Sequence, residues 1–208
     1  MASTARQDPF RIVAAPADGL CLDFANTRYW RGSAQPTETL SGFGDLLAWC
    51  EGAGVLDPGG GGALRAWGDA RRHEADRLAG KAVKAREAIY RLFGAVTAGD
   101  RPDEHDLERL NRLLAAAPER AVLADDARGW RLPPAEPSAA SLLAPVLWSA
   151  GDLLAGPRMG RVRRCANDGC LWLFLDDSKG GTRRWCAMSA CGNRAKARRH
   201  YLRKTAGD

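Results

Sequence analysis

The stretch Cys165-Ala-Asn-Asp-Gly-Cys170, followed after fifteen residues by Cys186-Ala-Met-Ser-Ala-Cys191-Gly-Asn-Arg194, decides how the rest of this chain is read. Two Cys-x4-Cys pairs stand close together, and a run of arginine and lysine follows at once. Four thiolates in two tight pairs are the donor set of a closed, tetrahedral structural zinc site, with Zn–S bonds of about 2.3 Å and no open position. Cys165, Cys170, Cys186 and Cys191 are therefore the expected ligands of one Zn2+ ion. The plainer alternatives are two disulfides, or four cysteines that only pack. Cys21 and Cys50 have no partner at ligand spacing and read as apolar packing.

The charge distribution points the same way. Residues 1–155 hold 18 Lys+Arg against 21 Asp+Glu, whereas residues 156–208 hold 13 against 4, so the basic excess of the chain (net +6) belongs to the cysteine-bearing segment. Such a field suits a polyanion, with nucleic acid first and an anionic membrane surface second. A composition of 45% hydrophobic and 27% charged residues excludes wholesale disorder. Residues 1–9 lack the apolar core of a signal peptide. The longest apolar region, Ser141 to Gly156, is interrupted by Pro145 and Asp152 and is too short to cross a bilayer. A cytoplasmic protein is the expectation. Thiols stay reduced there, which favours metal over disulfides.

Upstream of the cysteines the chain reads as an α+β domain, mostly helical with a few short strands. Leu20–Phe24 looks like a short buried strand, with Asn26-Thr27 as a turn or helix cap and 28–37 as a loop. Phe43, Leu46, Leu47, Trp49 and Cys50 have helical spacing, closed by Gly52-Ala-Gly54. Residues 57–62 break the chain before a long helical region from Leu64 to Val96, which Gly80 could divide. Gly99-Asp-Arg-Pro102 ends that region, and the next helix buries Leu107, Leu110, Leu113 and Leu114. Residues 121–132 read as a strand–turn–strand hairpin. Pro133 to Pro137 is a stiff linker before a final helix capped by Ser138. The boundary falls near residue 156, giving domains 1–156 and 157–208.

A segment as small as 157–208 rarely folds without a staple such as a metal. Strands around Arg161–Cys165 and Leu171–Leu175, a turn at 176–181 and a helix from Cys191 to about Lys204 make it a treble-clef-like zinc module. At about 100° per residue, Cys191, Ala195, Arg198 and Leu202 face the metal. Lys196, Arg199, His200 and Arg203 form the opposite, exposed stripe, with Arg194 and Tyr201 between. Together with Arg183, Arg184, Arg194 and Lys204, that stripe supplies the candidate nucleic-acid contacts, because arginine and lysine grip phosphates and arginine reads guanine. A solvated face on a structural knob is the plainer alternative. Trp172 and Trp185 read as packing around the metal, and four cysteines leave no need for His200 as a ligand.

Arg164-Cys165-x4-Cys170 with Phe174 and Ser178, then Arg183-Arg184-Trp185-Cys186-x-Met188-x2-Cys191-Gly192-Asn193-Arg194 with Lys196, strongly resembles the CGNR zinc finger. In that family the finger stands behind an ABATE domain, and Leu20-Cys-Leu-Asp-Phe-Ala-Asn-Thr27 looks like that domain's opening motif. The resemblance implies a bacterial transcription regulator linked to stress, but adds no mechanism. For the motif itself, Gly192 would let backbone amides approach the Cys191 sulfur, and Asn193 would bond across the knuckle. Arg194 would bind phosphate or pair with Asp176 or Asp177.

The leading expectation is a zinc-dependent regulator of double-stranded DNA, not an enzyme. Its N-terminal domain would sense a small-molecule effector, bind a partner or form a homodimer. The alternatives are an RNA-binding or protein-interaction module, or an enzyme with its site in the N-terminal domain. Asp23 and Asn26, polar residues in an apolar motif, would line a ligand pocket or satisfy buried backbone groups. His73, His105 and His200 are scattered, and Gly59–Gly62 lacks the Lys-Ser/Thr partner of a phosphate loop.

Overall fold

The computed structural model describes residues 11–14, 17–56, 60–120, 122–123, 129–132 and 135–205, leaving out the side chains of 11–14, 122, 131, 199, 200 and 205. The chain runs through strand β1 (Arg11–Ala14), helix α1 (Leu20–Ala25) and strands β2 (Arg28–Tyr29) and β3 (Thr37–Glu38). Helices α2 (Phe43–Gly52), α3 (Gly60–Ala70), α4 (Arg72–Ala98) and α5 (Glu104–Ala116) follow, then strands β4 (Val122–Leu123) and β5 (Gly129–Leu132). Helices α6 (Ala139–Leu142) and α7 (Ala144–Ala155), strands β6 (Val162–Arg164) and β7 (Leu173–Leu175), and helix α8 (Asn193–Thr205) complete it. The strands form three small antiparallel sheets, β1-β5-β4, β2-β3 and β6-β7. The fold is α+β and mostly helical, as the sequence pattern indicates.

The opening motif departs from expectation. Leu20–Ala25 is a helix, not a strand, with Leu20, Cys21, Leu22, Phe24 and Ala25 all buried. A short run buried on most sides has no period by which strand and helix differ. Thr27 ends it by donating its hydroxyl to Phe24 O at 2.8 Å. The loop expected over 28–37 contains the short β2–β3 pair.

The long helical region divides at Arg71 (φ −136°, ψ 54°), and α4 runs uninterrupted through Gly80. Gly80 is exposed, and a Cβ there would meet nothing within 4 Å. Its cost of about 1 kcal/mol relative to alanine is outweighed by the buried stripe of Ala75, Leu78, Ala79, Ala82, Ala85, Ile89, Leu92 and Phe93. Gly99, at φ +79°, ends α4 in the left-handed conformation expected of a glycine cap. Asp103 opens α5 by accepting from Asp106 N at 3.1 Å. The stripe of α5 is narrower than its leucines suggest, since Leu107 is exposed and Leu110 carries the burial.

The 122–132 strands pair as expected, while their turn at 124–128 lies outside the described residues. The final helix is two, because Pro145 starts α7 immediately after the Ser138–Ser141 capping box of α6. Helix α7 ends at Ala155, but the hydrophobic core does not end there. Val162 and Leu173 are buried in the same cluster as Leu22, Phe24, Ile89 and Phe93. The cysteine-bearing segment is seated on α1 and α4, with which it shares a core.

Candidate functional site

The first cysteine pair is displayed by a hairpin. Strands β6 and β7 flank Cys165 and Cys170, and Cys165 N donates to Trp172 O at 2.8 Å to close the knuckle. Leu171, at φ +58°, turns the chain out of it. Residues 182–185 return the chain to the second knuckle without forming a strand; Ala166 N donates to Arg184 O at 2.9 Å and ties the two knuckles together. Cys191 lies in a wide helical turn, Met188–Gly192, that runs directly into α8.

The four sulfurs lie within 4.8 Å of one another. Cys170 and Cys186 Sγ are 3.7 Å apart, and Cys186 and Cys191 Sγ 3.8 Å. Four sulfurs at about 2.3 Å around a tetrahedral ion stand about 3.8 Å apart, whereas a disulfide requires about 2.05 Å. The spacing fits one metal ion and no disulfide. Burial, then the neighbouring Cys165 thiolate, pushes the Cys170 thiol up to about 12. Burial and the Cys170 and Cys165 charges push Cys186 up as well. Thiolates this crowded need a cation between them. At Cys191 burial also opposes ionisation, but the Asn167 amide, donating to Sγ at 3.4 Å, and the neighbouring sulfurs bring the thiol below its ordinary value. Asn167 also accepts from Gly169 N at 3.1 Å. The bond across the knuckle thus comes from Asn167. Asn193 donates to Ser189 O at 3.3 Å in its own turn.

The other motif residues also differ from expectation. At Gly192 a Cβ would lie 2.6 Å from Met188 Sδ, so the missing side chain admits the methionine against the turn. Arg194 does not reach Asp176 or Asp177; its guanidinium lies 4.3 Å from the centre of the Trp30 ring. Asp176 is buried and accepts from Ser178 N (3.0 Å), Ser178 Oγ (2.5 Å) and Arg183 N (2.9 Å). The Ser178 hydroxyl, with those amides, holds the Asp176 carboxyl below the usual carboxylate range. Asp177 pairs with Arg158, which also grips Asp18.

Among the candidate nucleic-acid residues, Arg183 stands apart. Its guanidinium donates to Trp185 O at 2.8 Å and to Cys186 O, and lies 4.6 Å from the Phe174 ring centre. It braces the second knuckle. Lys196, Arg203 and Lys204 are exposed on α8, and among the described residues none of them is held by a carboxylate. Arg199 and His200 lie on α8, with side chains outside the described set. Arg184 lies 5.5 Å from the centre of the Trp185 ring. Ala195, Arg198 and Leu202 share the side of Cys191, but Arg198 and Leu202 are exposed and border an open groove.

The cysteine segment is pinned to the N-terminal part of the chain by hydrogen bonds, of which the Asn26 pair is buried. Asn26 donates from Nδ2 to Leu173 O at 2.7 Å and accepts at Oδ1 from Leu173 N at 3.0 Å. In the β6–β7 pairing the bonded positions are 165–172 and 161–176, so Leu173 points its peptide groups away from β6. Asn26 closes that free edge as a neighbouring strand would. Tyr90 donates to Leu171 O at 3.0 Å, Trp172 Nε1 to Arg28 O at 3.3 Å, and Gly32 N to Gly169 O at 3.3 Å. Gly32 admits no Cβ, which would fall 1.7 Å from Asp168 O.

A buried charge network holds the segment that bears these pins. Arg86, 1% exposed, meets Glu38 Oε2 at 2.6 Å and Glu87 Oε1 at 2.8 Å. Arg31 grips Glu87 at 2.8 and 3.1 Å and donates to Ala25 O at 2.8 Å. Burial pushes the Glu87 carboxyl up, and the Arg31 and Arg86 guanidiniums more than reverse this, leaving it below its ordinary value. Glu38 is lowered by the same contest, with Arg86 as its partner.

Asp23 and Asn26 border a cavity of about 470 Å3 between α1 and the cysteine segment, also lined by Arg158, Trp172, Phe174 and Asp177. The Asn26 amide is engaged by Leu173 and is no free ligand group. Asp23 is exposed at the cavity edge, and partial burial raises its carboxyl above the ordinary value. Cys21 is fully buried and its thiol is pushed up to about 12, mainly by burial, which makes it unreactive packing.

Helices carrying a four-cysteine centre at the start of a basic terminal helix define a zinc-finger class of protein. Residues 18–157 match the ABATE family, described as "Putative stress-induced transcription regulator", and the chain belongs to that family. Residues 161–204 match the CGNR zinc finger. No curated protein gives a significant match. No helix among the described residues is long and apolar enough to cross a membrane.

Proposed function

We propose that this chain is a zinc-dependent regulator that contacts double-stranded DNA through the exposed basic face of α8. The observation that carries the reading is that α8 leaves the metal centre with Lys196, Arg203 and Lys204 exposed and without carboxylate partners among the described residues. Zn2+ would hold the helix start, so that the stripe including Arg199 and His200 is presented rigidly to phosphates and base edges. The N-terminal helices seat the finger, and the Asp23 cavity is the place where a small-molecule effector would alter that seating. In this reading the chain is a cytoplasmic binding protein and not an enzyme.

The test is titration of the zinc-loaded chain against duplex DNA at several salt concentrations. Neutralising roughly four to six phosphates makes log K fall with log[salt] at about −0.9 per phosphate. Reversing Lys196, Arg199 and Arg203 to Glu should abolish binding. Undiminished binding by that variant would sink the proposal.

A further inference from the structure

A groove lies beside the metal centre, opposite the proposed duplex face. It encloses about 810 Å3 between the loop after β2, the first knuckle and α8, lined by Trp30, Asp168, Arg184, Trp185, Arg194 and Arg198 among others. That volume falls in the range of small-molecule sites, about 300–1,000 Å3. Its walls hold two tryptophan–arginine pairs, Arg194 over Trp30 at 4.3 Å and Arg184 over Trp185 at 5.5 Å. Arg198 is exposed on the same wall, and Asp168 supplies an exposed carboxylate.

The placement of Trp30 carries the argument. Its φ is +53°, a left-handed conformation that a bulky side chain adopts only where its surroundings enforce it. The enforcement is visible in the two residues that follow. Arg31 is clamped to Glu87 and Ala25 O, and Gly32 lies against the Asp168–Gly169 backbone. A residue of the N-terminal domain is thus held under strain where it forms one wall of the finger's groove. Backbone strain of this kind collects at binding sites.

We infer that this groove is a nucleotide site: it takes the base of an unpaired nucleotide against the tryptophan–arginine walls and its phosphate on Arg184 or Arg198. Bases stack on aromatic rings and on guanidinium planes, and Asp168 can accept from a base N–H. The same chemistry serves a nucleotide within a single strand or one free in solution. The inference rests on the reading of this finger as a nucleic-acid binder, but uses a surface distinct from the duplex-facing stripe.

The experiment uses the full-length, zinc-loaded chain with three probes: a labelled 12-nucleotide oligothymidine, a labelled duplex, and dTMP as competitor. Trp30→Asn removes the ring while tolerating the left-handed backbone, and Arg198→Ala alters an exposed wall residue should the first variant fold poorly. Loss of one base stack weakens single-strand binding by about 5- to 150-fold, with duplex affinity unchanged. Displacement of the strand by millimolar dTMP assigns the site to free nucleotides, and failure to displace assigns it to the strand. The inference is overturned if both variants leave single-strand affinity within about twofold, or weaken strand and duplex equally. Reversal of Lys196, Arg199 and Arg203 separates the two readings. Duplex loss with strand binding insensitive to Trp30 sinks the groove alone; the opposite pattern sinks the stripe alone.

Discussion

Replacing Asn26 with alanine tests how the finger is held to the rest of the chain. The side chain makes two bonds, to both peptide groups of Leu173, a residue 147 positions away and 1% exposed. Truncation strands one buried donor and one buried acceptor on the free edge of β7. Each unsatisfied group costs about 1–3 kcal/mol, so the pair amounts to about 2–6 kcal/mol, the lower figure applying if water enters the vacated space. For a chain of this length each kcal/mol moves the thermal midpoint by about 2–4 °C, which gives a fall of roughly 4–24 °C. Because β7 follows directly from Cys170, metal should also leave faster, as read by a chromogenic chelator at fixed temperature. Asn26→Asp keeps one acceptor but sets a carboxylate beside Leu173 O, and should be no milder than alanine. A loss below about 0.5 kcal/mol with an unchanged metal-release rate would show that Asn26 does not fasten the finger.

Three further outcomes follow from the geometry. Elemental analysis should find one zinc per chain, lost on Cys186→Ser; structural zinc contributes about 10–16 kcal/mol in small fingers, so chelation should unfold the finger, and retention of metal by the variant would refute the ligand set. Arg86→Met should destabilise by about 3–5 kcal/mol, towards the lower end because the Glu38 side chain is 37% exposed, and denaturant unfolding reads the difference. Glu38 and Glu87 have lowered carboxyl values, so their contribution is present in full above the ordinary glutamate value of about 4.3 and is lost as pH falls through the lowered folded values. Glu87→Gln should therefore flatten the stability loss below about pH 4 relative to the parent chain, and identical acid limbs would refute the assignment.

Much of the metal centre is local, and the cysteine spacing carries it. Two short loops each bring a pair of thiols together whatever lies around them, and the helix that follows Cys191 begins where its residues predict. The helix stops at Gly99 and Asp103 are equally local, because a left-handed cap and a side-chain acceptor act within a few residues. The roles of the individual motif residues are not local. Arg194 was expected on phosphate or aspartate and lies on Trp30, a partner from the opening segment that no spacing in the sequence connects to it. The nearest legible hint was the polar pair Asp23 and Asn26 in an apolar run, which marked a special position without saying what it meets.

The sequence by itself determined the ligand set, the basic terminal helix and a mostly helical α+β body, because each follows from residue types at fixed short intervals. The tertiary structure decided that Leu20–Ala25 is a helix, since burial on nearly every side erases the period that would tell helix from strand. It decided that Val162 and Leu173 complete the core of the preceding domain. It also brought Trp30, Trp185, Arg194 and Arg198 to one groove. Contacts between residues far apart in the chain depend on how helices and hairpin pack, and packing is where the opening motif and the finger first meet.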